Sequence, residues 1–394
     1  MSLSLQFHVV FQSITWAFIF PLGVVLGLKK SRYHVPCQIL GTVLTIPGFL
    51  LPSYAHLGKP PHPSHAHSVF GYLLIWYLIF QVGFGIFLKL HLYQTSRIRY
   101  FIQRFHFYLG SCFPIISWTQ LLLGGITGLR ICFGTHTGQC VSHMLVGSAF
   151  VFHGIFLLLM IHFGQPWLSR CGYSQEFLDS CVLTAWGLVK TFTEHGLFFT
   201  GGQVWSHRDT QNTVLGIFWF VTGSLGIYLS RGKRRSIIPG LMIIITGWTI
   251  SLHQQSSPYS DLVHGVFGYT LMAAGLSKLL DVYLFDDQIN LNSSSTSSIK
   301  FSRLHLTPFL LLNSGIMYLS STDQQLRMVL VKQIDHSTYT LIQICLSTLI
   351  YFFVNLLINL FDRSSSSSDS LDHQSSVEYM ALESFDKEIV DRSI

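Results

Sequence analysis

The sequence predicts an all-α protein, a polytopic transmembrane helical bundle of about ten or eleven helices. Of its 394 residues, 49% are hydrophobic and only 11% are charged, whereas roughly 25% are charged in ordinary soluble domains. Such a chain cannot cover a globule with polar surface. We therefore exclude a soluble enzyme, a disordered protein and a nucleic-acid-binding protein, and we expect the lipid bilayer as the environment.

Apolar runs long enough to cross a membrane follow one another along the chain. A hydrocarbon core about 30 Å thick requires about 17–25 helical residues. Lys190 and Glu194 interrupt the sixth run and the tenth is short, so we expect ten or eleven helices and prefer eleven. The runs lie near residues 5–28, 37–55, 66–90, 106–128, 143–162, 178–200, 212–230, 237–253, 262–285, 304–320 and 340–361.

Basic residues predict the orientation of these helices, because loops rich in Lys and Arg stay in the cytosol. Clusters at 29–32, 97–104, 231–235 and 300–303 all follow odd-numbered helices. The N-terminus is therefore expected outside or in a lumen, and the C-terminal tail in the cytosol. The choice between plasma membrane and endomembrane stays open.

The first four helices each begin near a histidine, at His8, His34, His67 and His106. An ionisable group inside a bilayer is costly and is a functional candidate by default. The starts of successive antiparallel helices alternate between the two faces. His8 and His67 are therefore expected near the outer face, and His34 and His106 near the inner face, which makes one pair per leaflet.

Glycines near two of these histidines indicate what the pairs hold. Gly71 and Gly110 lie four residues after His67 and His106, on the same helix face, where they leave room for a flat macrocycle. Two imidazoles that face each other across a bundle can hold a haem between them. The pattern thus predicts two haem groups roughly 20 Å apart, a layout typical of electron transfer across a membrane.

The N-terminal motifs resemble the core helices of cytochrome b-561 proteins. They are His8 with Trp16 and Pro21-Leu-Gly23, His34-Val-Pro-Cys-Gln-Ile-Leu-Gly41, His67-x3-Gly71 and His106-x3-Gly110. The resemblance implies a four-helix core over residues 1–130 and two b-type haems. It also implies that His8 pairs with His67 and His34 with His106, and that a small anionic reductant such as ascorbate is the cytosolic donor.

The next part of the chain resembles the fungal YTP-type membrane proteins, which implies a C-terminal membrane domain over residues 131–285. The segments that carry the resemblance are Ser142-His143-Met-Leu-Val-Gly147, Thr193-Glu194-His195, Trp205-Ser206-His207, Gly247-Trp248 and His264-Gly-Val-Phe-Gly268. The last of them echoes His67-Ser-Val-Phe-Gly71. Asn212-x3-Gly216 is a further copy with asparagine, a poor haem ligand, at the histidine position.

The second-half histidines allow three interpretations. The topology places His143, His195, His253 and His264 near the outer face. Together they would bind a third haem or a transition-metal ion, or else they form a hydrogen-bonded polar cluster that holds helices together.

Two loop regions also carry candidate sites. Imidazoles suit copper, iron, zinc and nickel, so His56, His62 and His65, just before His67, either capture a metal ion or form a solvated outer loop. The basic clusters at 29–32 and 97–104 follow from the orientation rule alone. They also offer a collar that attracts an anionic reductant to the inner pair.

The remaining segments contribute no candidate ligand. We expect a flexible Ser-rich loop over 286–303, two further transmembrane helices over 304–362, and a disordered Ser-rich acidic tail over 363–394. Cys132 and Cys140 share an outer loop, where a disulfide is plausible.

The leading hypothesis is a transmembrane electron-transfer oxidoreductase that resembles a metal reductase. Electrons would pass from a cytosolic anionic reductant to an outer acceptor such as ferric or cupric ion. The alternative is a haem-free membrane protein whose outer histidines bind or transport a metal ion. A third reading is a scaffold without activity. Soluble catalytic motifs, such as a nucleotide-binding glycine loop or HExxH, are absent from the sequence.

Overall fold

Helices account for all the regular structure that the computed structural model describes, which confirms the predicted all-α bundle. Each of the eleven predicted runs coincides with a helix over its described residues, and seven of these helices are long and apolar enough to cross a membrane. The structure describes residues 3–55, 65–93, 96–132, 137–193, 207–252, 255, 257–284 and 294–362.

One short helix was not expected from hydropathy. Thr322 caps it, because its side chain accepts a hydrogen bond from the Gln325 backbone N–H while the Gln325 side chain accepts one from the Thr322 backbone N–H. This reciprocal arrangement is a capping box, a local signal that hydropathy does not report. In chain order the helices are α1 (Leu3–Leu28), α2 (His34–Ala55), α3 (Ala66–Lys89), α4 (Arg97–Leu129), α5 (Thr137–Cys171), α6 (Gln175–Thr193), α7 (His207–Leu229), α8 (Ile238–Ser251), α9 (Pro258–Leu284), α10 (Ser294–Leu319), α11 (Asp323–Val331) and α12 (His336–Asp362).

Two long helices contain a π-helical turn. In α1 the turn spans Thr15–Ile19 and precedes Pro21, and in α5 it spans Met160–Gly164 and precedes Pro166. Proline has no N–H to donate, and its ring clashes with the carbonyl four residues earlier. A wider turn just before the proline relieves this conflict, so both helices continue instead of ending.

The chain divides into two compact units, of which the first comprises the residues up to Gly128 and those from Asn355 onward. In this unit α1 packs along α2. Its buried core is small and largely aromatic, formed by Trp16, Phe20, Leu74 and Phe113. Many other large apolar side chains are exposed, Trp76 by 61% among them, as expected of helices whose outer faces meet lipid.

The second unit, Leu129–Val354, contains a larger core. Three helix pairs pack closely, α5 with α10, α6 with α7 and α8 with α9. A glycine lies at each contact, namely Gly147 against α10, Gly187 against α7 and Gly247 against α9. Small residues let helix backbones approach in this way, and dispersion contacts then replace the hydrophobic effect, which is weak between helices in lipid.

Two features differ from the expected segment boundaries. Helix α10 begins at Ser294, inside the expected Ser-rich loop 286–303; serine is tolerated near a helix start, and an established helix propagates cooperatively. Helix α10 also packs along α5 and buries Leu311 and Met317, so it belongs to the second unit's core. Residues 285–293 and the tail 363–394 lie outside the described residues. The Cys132–Cys140 disulfide is present.

Candidate functional site: paired histidines

The structure brings the four N-terminal histidines together in the two expected pairs. The ring centroids of His8 and His67 are 6.0 Å apart and the rings are nearly perpendicular, at 89°. Those of His34 and His106 are 6.4 Å apart at 84°. The pairs lie at opposite ends of the unit, since the Gly23 carbonyl, which contacts His34, is fifteen residues from His8 on α1, roughly 20 Å of helix.

Hydrogen bonds hold one ring of each pair in a defined orientation. His8 Nδ1 lies 2.6 Å from the Gly48 carbonyl oxygen, and His34 Nδ1 lies 2.7 Å from that of Gly23. A carbonyl only accepts, so each Nδ1–H donates and each Nε2 carries the lone pair. Nδ1 of His67 and of His106 is buried without a hydrogen-bond partner among the described residues.

Glycines face the other ring of each pair. A Cβ atom placed at Gly124 would lie 3.2 Å from His67 Cε1, and one at Gly85 would lie 3.7 Å from His106 Cε1. No backbone atom of another helix comes as close to either glycine within the described ranges. Gly124 and Gly85 therefore place no side chain of their own against these two rings.

A glutamine lies close to each of these two histidines. Gln120 Nε2 donates to the His67 carbonyl at 3.2 Å, and Gln81 Nε2 donates to the His106 carbonyl at 3.3 Å. The Gln120 amide is also the nearest group to Gly71, where a Cβ atom would lie 3.2 Å from Nε2. The glutamines thus tie α3 to α4 at both histidine pairs.

Aromatic side chains fill the middle of the unit, between the two pairs. Trp16 stacks on Phe113 with centroids 5.4 Å apart and planes at 8°, and Phe20 contacts both rings edge-on. The centroid of the Tyr77 ring lies 6.4 Å from that of Phe113. The indole N–H of Trp16 donates to Gln12 Oε1 at 2.7 Å. Trp16, Phe20 and Phe113 are all buried, which makes the middle of the unit apolar.

Two of the predicted basic residues make structural contacts at the end that holds His34 and His106. Lys29 Nζ lies 4.2 Å from the centroid of the Phe361 ring. Arg99 donates to the carbonyls of Leu88 and Leu92 at 3.1 and 3.2 Å. Arg99 therefore stabilises the C-terminal end of α3, where cations interact favourably with unpaired carbonyls.

In the second unit, the structure pairs His143 with His264. Their ring centroids are 6.0 Å apart at 86°, and the residues are only 6% and 3% exposed. The Tyr318 ring stacks on His143, with centroids 4.4 Å apart and planes at 8°. His195 and His253, predicted in the same cluster, lie outside the described residues.

The predicted metal-capturing loop has little described structure. His56 and His62 lie outside the described residues, and His65 immediately precedes α3. Among the residues with described positions, no group of three or more His, Cys, Asp or Glu side chains is placed to hold a metal ion. Metal capture by this loop stays a prediction.

Sequence reasoning missed a further pair, His162 and His305, at the other end of α5. Their centroids are 5.5 Å apart at 80°. His162 Nδ1 contacts the Leu158 carbonyl at 2.9 Å, and His305 Nδ1 contacts the Tyr351 hydroxyl at 2.7 Å. The alternation of helix ends would have found this pair, because the fifth run ends and the tenth begins at the same face.

It also missed a buried network of charges. Lys278 Nζ lies 2.7 Å from Asp179 Oδ2, and Arg235 lies 2.8 Å from Glu176 Oε1, with both carboxylates 1% exposed. His153 Nε2 is 4.0 Å from Asp179. Three of these residues, Glu176, Arg235 and Lys278, border a cavity of about 560 Å³. Asp179 and Lys278 lie inside predicted apolar runs, and charges in such runs are the sequence signal that could have indicated this network.

Comparison with known proteins decides the family. Residues 116–362, more than half of the chain, match the family described as Protein YTP1-like, C-terminal. The chain belongs to the YTP1-like family. The predicted resemblance to fungal YTP-type membrane proteins is thereby confirmed. Residues 1–91 of this YTP1-like protein match a domain of unknown function, DUF2427, so the resemblance to cytochrome b-561 stays a prediction.

The relatives are fungal membrane proteins. Protein YTP1 of Saccharomyces cerevisiae is 37% identical over 243 residues, which cover 61% of this chain and 50% of that protein. An uncharacterised membrane protein of Schizosaccharomyces pombe is 20% identical over 81% of this chain and 86% of its own length. A second uncharacterised membrane protein, from S. cerevisiae, is 27% identical over 39% of this chain and 27% of its own length. No solved structure matches.

This YTP1-like chain spans about half the length of S. cerevisiae YTP1. The helices and the names of the relatives together make it an integral membrane protein.

Proposed function

We propose that this YTP1-like protein is a di-haem b-type cytochrome that carries electrons across a membrane. His8 and His67 would hold one haem, and His34 and His106 the other. The supporting observation is the separation of the ring centroids, 6.0 and 6.4 Å. Two imidazoles that each bind one metal ion at about 2 Å would have ring centroids roughly 6 Å apart.

The surroundings of the rings fit haem. His67 Nδ1 and His106 Nδ1 are buried polar atoms without partners among the described residues, as expected where the imidazole serves a group other than protein. Gly124 and Gly85 keep bulk away from these two rings. The opposite rings donate Nδ1–H to backbone carbonyls, which orients a metal-ligating imidazole and raises its basicity.

Each part of the chain has a role in this function. When bound, haem b supplies a one-electron redox centre at each pair. The aromatic core around Trp16 and Phe113 excludes water between the pairs. The basic residues near 29–32 and 97–104 attract a small anionic reductant such as ascorbate to the cytosolic side, and the outer pair faces an acceptor such as ferric or cupric ion.

Absorption spectroscopy of the detergent-purified full chain tests the proposal. We expect a Soret band, reduction by ascorbate, and about two b-type haems per chain by the pyridine haemochrome assay. His67→Ala should halve the haem content, because it removes one axial ligand. The matched control His162→Ala, which lies in a pair of the second unit, should keep both haems.

Two results would overturn the di-haem assignment. One is a colourless protein after expression with ample haem, which would favour the haem-free metal-binding alternative. The other is an unchanged haem content in His67→Ala.

A further inference from the structure

The second unit repeats the histidine pair of the first unit with nearly the same geometry. The rings of His143 and His264 are 6.0 Å apart at 86°, compared with 6.0 Å and 89° for His8 and His67. The pair is more deeply enclosed, since its residues are only 6% and 3% exposed. Ring geometry alone would therefore allow the same ligand in both units.

The glycines beside this pair are packed against backbone. A Cβ atom at Gly147 would lie 2.6 Å from Leu319 Cγ and 2.9 Å from the Gly315 carbonyl oxygen, and one at Gly268 would lie 2.5 Å from the Gly247 carbonyl oxygen. The corresponding glycines of the first unit meet only side-chain ends. Helix backbones cannot move aside as a glutamine can, so these glycines leave no room for a macrocycle.

Both rings are held in the tautomer that metal ligation requires. His143 Nδ1 lies 2.8 Å from the Gln139 carbonyl oxygen, and His264 Nδ1 lies 2.9 Å from that of Ser260. Because the carbonyls only accept, each Nδ1–H donates and the lone pair resides on Nε2. A backbone carbonyl behind the ring is the usual outer partner of a metal-bound histidine.

A small polar pocket adjoins the two rings. Its volume is about 50 Å³, and a water molecule requires roughly 10–15 Å³ measured in the same way. Gln139, Asn212 and Gln255 line it with amide side chains, and none of the described residues that line it is a carboxylate or a thiol. The pocket therefore suits one ion with a neutral coordination shell.

We propose that His143 and His264 bind a single copper ion. Copper is one of the metals that imidazole ligands suit. As Cu(I) it needs only two imidazole ligands, and its single charge reduces the cost of burial without a carboxylate. The site lies wholly within the second unit and does not depend on haem in the first.

Copper titration of the full chain tests this site. The purified protein is stripped with a chelator and titrated with Cu(I) against a chromogenic competitor under anaerobic conditions. Wild type should bind one ion. His143→Gln and His264→Gln should each weaken the affinity for that ion by at least about 100-fold, since even outer-shell changes cost 10–100-fold. His162→Gln, in the pair with His305 at the other end of α5, should keep that ion.

A measurement on wild type alone guards against variants that fail to fold. X-ray absorption at the copper edge of the wild-type complex should show two imidazole nitrogen ligands and no sulfur ligand. A sulfur-ligated copper would overturn the proposal, as would one bound ion persisting in the variant that carries both His143→Gln and His264→Gln. Loss of Soret absorbance in His264→Gln would overturn it too, by assigning the pair to haem. The copper stoichiometry does not depend on how much haem the wild type holds, so the two proposals fail separately.

Discussion

Replacing Gly147 with alanine should destabilise the second unit, because the added methyl group has no space. It would lie 2.6 Å from Leu319 Cγ, 2.9 Å from the Gly315 carbonyl oxygen and 3.0 Å from the Leu319 backbone nitrogen. Overpacking costs about 1–3 kcal/mol, and the better helix propensity of alanine returns about 1 kcal/mol. We expect a net loss of up to about 2 kcal/mol.

Gly265→Ala is the matched control, because Gly265 also lies inside a helix of the second unit and next to a paired histidine. Its nearest neighbour would be Tyr269 Cε2 at 3.9 Å, an ordinary contact. This variant should gain up to about 1 kcal/mol from helix propensity. The two variants should thus differ by the overpacking cost alone, about 1–3 kcal/mol.

Thermal unfolding in detergent, followed by tryptophan fluorescence, measures the difference. About 2–4 °C per kcal/mol is typical of a domain the size of the second unit, so the midpoints of the two variants should differ by roughly 2–12 °C. If Gly147→Ala melts at or above the temperature of Gly265→Ala, the close packing of α5 on α10 is refuted, and with it the argument that haem has no room beside His143.

Two further predictions concern stability. Cys132→Ser removes the disulfide to Cys140, whose two cysteines are eight residues apart in sequence, and should cost about 2.5 kcal/mol. The melting temperature should fall in this variant, and a reducing agent should lower that of wild type by a similar amount. An unchanged melting temperature of wild type with reductant would contradict this prediction. Asp179→Asn removes the carboxylate that forms an ion pair with the buried Lys278 and should cost about 3–5 kcal/mol, whereas Asp179→Leu with Lys278→Met should recover most of that loss. Equal destabilisation by the single and double variants would contradict the pairing.

The sequence by itself determined the class of the fold and the first two histidine pairs. Hydropathy is a property of each run of residues, so the eleven helices could be located without knowing their neighbours. The alternation of helix ends between the faces then placed His8 with His67 and His34 with His106. Packing details were not needed, because chain direction alone decides the face at which a helix begins.

Only the tertiary structure decided how the second unit uses the same residue types. His143-x3-Gly147 and His67-x3-Gly71 are equivalent as sequence, yet Gly147 packs on backbone and Gly71 faces a glutamine side chain. The pairing of His162 with His305 and that of Asp179 with Lys278 also join distant helices. Such contacts depend on which helix packs against which. In lipid, that choice is made by small residues that let helix backbones approach closely, and hydropathy does not report it.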